Sequence, residues 1–295
     1  MSPNDLATGR GTVTDVILPG TTVIGDDRVV GARLRPLGGH DEVFVVEQAG
    51  RSGGMATANA LLRRCVSELR FASGRTPPAS DLVGSLTAGD REALLLRLRQ
   101  VSFGDRLGLV LTCPEADCGE AMDLELTVSD LVCTPAELAP AIHEVRETTD
   151  GPPLRFRLPT WSDLEAIAPI ARGQPERAAT ALARLCLVEG PPATDQVLVD
   201  LLDPRIAELD PQAEIELSVT CPACGAAFTS GLDAGDLLCA EMVARQGDLD
   251  LAVHLLALHY HWSEDEILAL PVARRRRYVE ALVDGLVARE GLGQG

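Results

Sequence analysis

Thr112-Cys113-Pro114-Glu115-Ala116-Asp117-Cys118-Gly119 and Thr220-Cys221-Pro222-Ala223-Cys224-Gly225 are two versions of one signal. Each sets a pair of cysteines around a tight turn, with proline after the first and glycine after the second. Proline fixes the turn, and glycine permits the left-handed backbone that swings N–H groups toward sulfur. The second version is the compact knuckle; the first carries two extra residues and still falls within the spacing that zinc ligand pairs use. Two knuckles facing each other supply four thiolates, from Cys113, Cys118, Cys221 and Cys224. Such a four-thiolate set closes around one structural zinc ion and leaves no open position for chemistry.

Roughly a hundred residues separate the two pairs, far more than is usual for one zinc site. An internal duplication accounts for the gap. Laid on itself, the sequence pairs Cys65 with Cys186, Cys113 with Cys221, Cys118 with Cys224 and Cys133 with Cys239. ALLRRCV around Cys65 resembles ALARLCL around Cys186. The expected organisation is a first repeat over residues 1–133, a linker over 134–153 rich in proline, a second repeat over 154–239, and an unrepeated helical extension over 240–295. The expected fold class is α+β: tandem helical units whose small β-hairpins meet at the zinc ribbon. Cys65, Cys186, Cys133 and Cys239 lie on apolar stripes and read as small core residues.

Composition narrows the function. The chain has 295 residues, 46% of them hydrophobic, so it can bury a substantial core. No apolar run is long enough to span a membrane, and no secretion signal opens the sequence. The net charge is −18, and all 26 basic residues are arginine. A negative field repels phosphate backbones, and aromatic residues at 3% offer few stacking platforms, so nucleic acid is an unfavoured partner. Eight cysteines in a chain without a signal peptide favour metal ligation over disulfides.

Strands are expected at Val13–Leu18, Val29–Leu34, Leu107–Thr112, Met122–Val128, Leu154–Pro159 and Ile215–Thr220. Residues 1–10 read as a mobile end. Ala56–Phe71 reads as one helix with Leu61, Cys65 and Leu69 on a stripe, and Ala178–Val188 as its counterpart. Thr87 caps a long helix carrying Leu94, Leu95, Leu98 and Val101. Ser162 is the expected cap of the helix after Pro159. Asp203-Pro204 reads as a cap followed by proline at the first helical position, which would shorten the counterpart of the Thr87 helix. Asp248–Trp262 reads as an amphipathic helix, Ser263 and Glu266 as a capping box, and Pro271 as the start of the last helix, with Arg274–Arg277 in its first turns. The histidines do not assemble a site: His254 and His261 are about 10.5 Å apart along a helix.

Leu86-Thr87-Ala88-Gly89-Asp90-Arg91-Glu92-Ala93-Leu94-Leu95-Leu96, then Phe103-Gly104-Asp105-Arg106, then a strand and a cysteine knuckle, resembles the baseplate hub assembly protein family of T-even-type phages. The detailed likeness covers roughly residues 55–130. Arg155–Glu165 and the HYHWSEDEILALP stretch look like larger relatives found beside contractile injection systems, the phage-tail-like particles of bacteria. The resemblance implies a non-enzymatic assembly chaperone or minor component of the baseplate. Its partners would be hub, spike or tube proteins, and its place the bacterial cytoplasm during particle assembly. The longer Cys113–Cys118 knuckle departs from the compact pattern.

No phosphate-binding loop, HExxH, GxSxG or GxGxxG is present, so nothing in the sequence asks for an enzyme or a small-molecule substrate. The alternative reading is a zinc-ribbon regulatory or nucleic-acid-binding protein, against which charge and aromatic poverty both argue. A third is an enzyme carrying the ribbon as a structural appendage, which would require a pocket of convergent polar groups.

Overall fold

The computed structural model describes residues 13–49, 51, 54–135 and 140–292; the end expected to be mobile, residues 1–10, lies outside them, as does 136–139 of the expected linker. The architecture mixes helices with small antiparallel sheets. A first sheet joins β1 (Thr14–Ile17), β2 (Val23–Ile24), β3 (Asp27–Leu34) and β4 (Val66–Phe71), all paired on β3. Helices α1 (Gly39–Gln48) and α2 (Gly54–Cys65) lie between β3 and β4. Then come α3 (Ala88–Phe103), the hairpin β5 (Arg106–Thr112) and β6 (Ala121–Thr127), and the short α4 (Val128–Leu131). The second half follows a like order with β7 (His143–Val145), β8 (Leu154–Phe156), α5 (Trp161–Ala171), α6 (Pro175–Cys186), β9 (Leu187–Glu189) and α7 (Asp195–Leu209). The hairpin β10 (Ile215–Thr220) and β11 (Ala227–Leu232) follows, with α8 (Ala234–Ala244), α9 (Gln246–Tyr260), α10 (Glu264–Leu268) and α11 (Val272–Leu292) behind it. No helix among the described residues is long and apolar enough to cross a membrane.

Helix α3 is the hub of the main core. Leu94, Leu95, Leu96 and Leu98 are all buried, so the helix is enclosed on nearly every side and not on one stripe alone. Thr87 caps it as expected, accepting from the Asp90 N–H. A second, smaller core gathers Leu154, Phe156, Ala183, Cys186, Leu198 and Leu202.

One local arrangement occurs twice. Arg35 donates to both carboxylate oxygens of Asp41 at 2.6 and 2.9 Å, and its N–H bonds Cys65 O at 3.0 Å. Arg157 donates likewise to Asp163 at 2.5 and 2.9 Å, and its N–H bonds Cys186 O at 2.9 Å. In both places the strand ends one residue before the arginine, and the aspartate lies in the first turn of the next helix. Each arginine holds its aspartate below the usual carboxylate range, although burial opposes the shift. The strand pairs carry the same irregularity, Leu34 facing Val66 and Phe156 facing Leu187, each with a register shift beside it.

Several sequence expectations are corrected. Ala56–Phe71 is not one helix: α2 ends at Cys65, and Val66–Phe71 is strand β4, which pairs with β3 and buries Val66, Leu69 and Phe71. Ala178–Val188 likewise ends as a helix at Cys186 and continues as β9. The cap of α5 is Thr160, which forms a capping box with Asp163; Ser162 is inside the helix. Pro204 sits within α7 and starts nothing. The long helix of the second half is therefore not shortened. The missing length lies between Cys186 and the Thr194 cap, where the three residues of β9 stand in place of the longer β4. Part of the expected linker is structured, since β7 pairs with β8. Trp262 lies beyond α9, which closes at His261 in the left-handed region, φ 58°.

A buried carboxylate pair ties the halves together. Asp90 accepts from Gly20 N and Thr22 N at 2.9 and 3.0 Å, while Asp210, at the end of α7, accepts from Gly89 N at 2.8 Å. A Cβ on Gly89 would lie 1.9 Å from Asp210 Oδ1, so only glycine lets the helix start approach so closely. Burial, with the Asp90 charge beside it, pushes Asp210 up to about 6. A carboxyl raised on folding binds more protons in the native state, so its contribution to stability grows as pH falls from above 6 toward 4. We expect thermal unfolding to show the chain more stable at pH 5.5 than at pH 7.5, by about 0.8 kcal/mol from this group. Asp210→Asn should shrink that difference.

Candidate metal centre

Two hairpins present the four thiols. Cys113 follows β5 and Cys221 follows β10, and each N–H bonds the far side of its own turn, Cys113 N to Glu120 O at 2.9 Å and Cys221 N to Ala226 O at 2.8 Å. Gly119 and Gly225 adopt φ +59° and +76°, the left-handed conformation that closes each knuckle. The two extra residues of the first knuckle form a turn in which Cys118 N and Gly119 N both bond Glu115 O.

The structure brings Cys113, Cys118, Cys221 and Cys224 together. Their sulfurs lie within 4.8 Å of one another, with Cys113–Cys224 and Cys118–Cys221 both at 3.7 Å. Zinc–sulfur bonds of about 2.3 Å at tetrahedral angles place sulfurs about 3.8 Å apart. These contacts are therefore the edges of such a tetrahedron, and they run between knuckles. All eight cysteines are free thiols. The remaining four stay apart from the cluster as expected: Cys65 and Cys186 are buried, Cys133 and Cys239 half-buried.

The sulfurs are electrostatically unequal. The Cys221 thiol is lowered to about 7, chiefly by the Cys224 backbone N–H. The Glu115 N–H favours the Cys113 thiolate, but burial and the three other sulfurs outweigh it and push Cys113 up to about 12. Four adjacent thiolates repel one another; a soft cation gripped by all four removes the penalty. An all-sulfur tetrahedron suits zinc or iron and leaves no vacant position for substrate.

The surrounding residues explain how distant hairpins meet. The apolar cluster there is small, with only Cys113, Met122 and Cys221 buried, so packing alone supplies little. The hairpin bases are held by polar ties. Gln212, buried before β10, accepts from Cys133 N at 2.6 Å and donates to Leu131 O at 3.2 Å, joining the exit of the first hairpin to the entrance of the second. Glu92 on α3 accepts from Ala234 N at 3.0 Å, and Arg99 on α3 forms a two-pronged pair with Glu241 on α8 at 3.0 and 3.2 Å. Because α3 feeds β5 and α8 follows β11, these bonds fix one hairpin relative to the other. Sequence reading misses Gln212, Glu92, Arg99 and Glu241: each partner is more than seventy residues away, and no local pattern marks it.

Residues 56–185 match a family model described as T4 bacteriophage base plate protein. That stretch, a little under half of the chain, is similar to T4-type baseplate proteins. No curated protein and no solved structure gives a significant match. The baseplate-family segment runs from α2 to α6, farther than the residues 55–130 whose motifs carry the resemblance. It contains Cys113 and Cys118 but not Cys221 and Cys224. The sulfur cluster therefore joins the matched segment to a part of the chain outside it.

Proposed function

We propose that the chain is a non-enzymatic assembly chaperone for the baseplate hub, or a minor baseplate component, of a contractile phage tail or phage-tail-like injection system, stiffened by one structural zinc ion. The baseplate family match over residues 56–185 carries this reading. The four converging thiols support zinc at Cys113, Cys118, Cys221 and Cys224. The doubled Arg–Asp strand ends and the order of elements support an internal duplication, with repeats at 1–133 and 154–239 and an extension at 240–295. A closed sulfur tetrahedron offers no substrate position, in keeping with a structural role.

The partners in this reading are hub, spike or tube proteins met in the bacterial cytoplasm during assembly. The extension offers them an apolar surface: Leu251 and Leu258 on α9 are 54% and 57% exposed. Both lie outside the buried core clusters, so Leu251→Asp with Leu258→Asp should test the surface without unfolding the chain. Soluble yield of co-expressed hub protein, and the number of complete particles, should fall several-fold. Unchanged hub solubility and particle yield would defeat the chaperone reading. The regulatory, nucleic-acid-binding alternative gains no support, because the solvent face of the ribbon is acidic.

A further inference from the structure

The first zinc-knuckle hairpin and the start of α11 are complementary surfaces, and neither is covered. On the solvent face of the hairpin, Val110 is 69% exposed and stands opposite Asp123, and Gly108 stands opposite Glu125. Glu115, Asp117 and Glu120 surround the tip, all exposed. Among the described residues none of these five carboxylates has an ion pair or a side-chain hydrogen bond. The result is one protruding apolar side chain ringed by unpaired negative charge.

The opposite character gathers at α11. Both tyrosines and one of the two tryptophans of the chain cluster there: Tyr260–Trp262, Trp262–Tyr278 and Tyr260–Tyr278 have ring centroids 5.3, 5.0 and 6.2 Å apart. Arg274 lies 5.8 Å from the Tyr278 ring centroid, and Arg277 is exposed with no ion-pair partner among the described residues. Arg276 pairs at the surface with Glu280. Two of the three acids of nearby α10 are engaged elsewhere, Glu266 with Ser263 and Asp265 with His40, while Glu264 is exposed. Tyrosine, tryptophan and arginine side by side are the residues that dominate binding at protein interfaces. Positive charge in the first turns of a helix opposes its dipole, and carboxylates brought from outside relieve the conflict.

We infer that the acidic face of the β5–β6 hairpin of one copy docks on the patch of Arg274, Arg276, Arg277, Tyr260, Trp262 and Tyr278 of a second copy of this chain. The occupant is argued from charge and shape on the same molecule: a −18 protein presents its one arginine run beside aromatic rings, and its own hairpin supplies unpaired carboxylates around an apolar knob. Two different patches meet in such a contact. A pair of copies then keeps one free hairpin and one free patch, so the association continues into a ring or an open chain. This inference goes beyond the baseplate role and does not depend on the identity of the tail partners.

The test is a charge swap on full-length, zinc-saturated protein, read by light scattering and sedimentation at low salt. Wild type should self-associate below about 100 µM and dissociate as salt screens the contact. Arg274→Glu with Arg277→Glu should weaken association at least tenfold, and so should Asp123→Arg with Glu125→Arg. Mixing the two variants should restore it, because reversed patch then meets reversed hairpin. Glu115→Arg with Asp117→Arg serves as the hairpin variant should the strand changes disturb folding. A wild type that stays monomeric, association unaffected by either reversal, or failure of the mixture to recover would each overturn the inference. A wild-type monomer that binds only another acidic tail protein or anionic vesicles overturns it as well.

Discussion

Cys221→Ser should empty the metal site and loosen both hairpins while leaving the main core folded. Three ligands cannot close a structural tetrahedron, and binding free energy at such sites is folding free energy. The apolar cluster beneath the sulfurs has only three buried members, two of them ligands, so little else holds the hairpins together. Elemental analysis should find one zinc per wild-type chain and less than about a tenth of that in the variant, with a fall in Tm of about 10 °C or more. Hydrogen exchange should rise across Arg106–Thr127 and Ile215–Leu232, and stay slow in α3, whose leucines are enclosed by the larger core. Cys65→Ser is the control. Its thiol is buried at the end of α2, far in role from the metal, so that variant should lose some stability and keep its zinc. Stoichiometric zinc in Cys221→Ser, or equal loss in Cys65→Ser, would remove the basis for the site.

The sulfur cluster is readable from sequence because knuckle chemistry is local. Proline, cysteine and glycine at fixed offsets specify a turn, and the turn specifies where the thiols point. The α2–β4 boundary is not readable in the same way. Leu61, Cys65 and Leu69 fit a helical stripe, but Val66, Leu69 and Phe71 also serve a strand, and pairing with β3 from upstream decides between them. The same ambiguity recurs at Cys186 for the same reason. The structured part of the expected linker is hidden by its prolines and by the shortness of β7, which exists only through its pairing with β8. A clue is present: Arg35 and Asp41 stand at the same spacing as Arg157 and Asp163, and both pairs fasten a strand end to a helix start. That repeated spacing marks the recurring arrangement more sharply than the cysteine helices do.

Arg275 shows how an arginine run divides once packing is known. Arg274, Arg276 and Arg277 are exposed, whereas the side chain of Arg275 is 5% exposed and pairs with Glu42, itself 4% exposed, on α1. Burial pushes the Glu42 carboxyl up, and the Arg275 charge opposes that shift. Arg275→Ala would leave Glu42 enclosed without its cation, at a cost of about 3–5 kcal/mol. Urea unfolding should show that loss as a lower midpoint with unchanged slope. The deficit should narrow as pH falls, because the stranded carboxyl of the variant can then bind a proton. Glu42→Gln combined with Arg275→Met should recover most of the stability, since it removes both charges and not one. Arg276→Ala and Arg277→Ala should stay within about 0.5 kcal/mol of wild type. A loss below about 1 kcal/mol in Arg275→Ala would mean the pair is not enclosed, and that the start of α11 rests against the start of α1 through Val272, the bond from Val272 N to Leu37 O and the Gly38–Pro271 bridge. The extension would then be loosely fastened, and a surface carried on it could not present a fixed arrangement of arginines and rings to a partner.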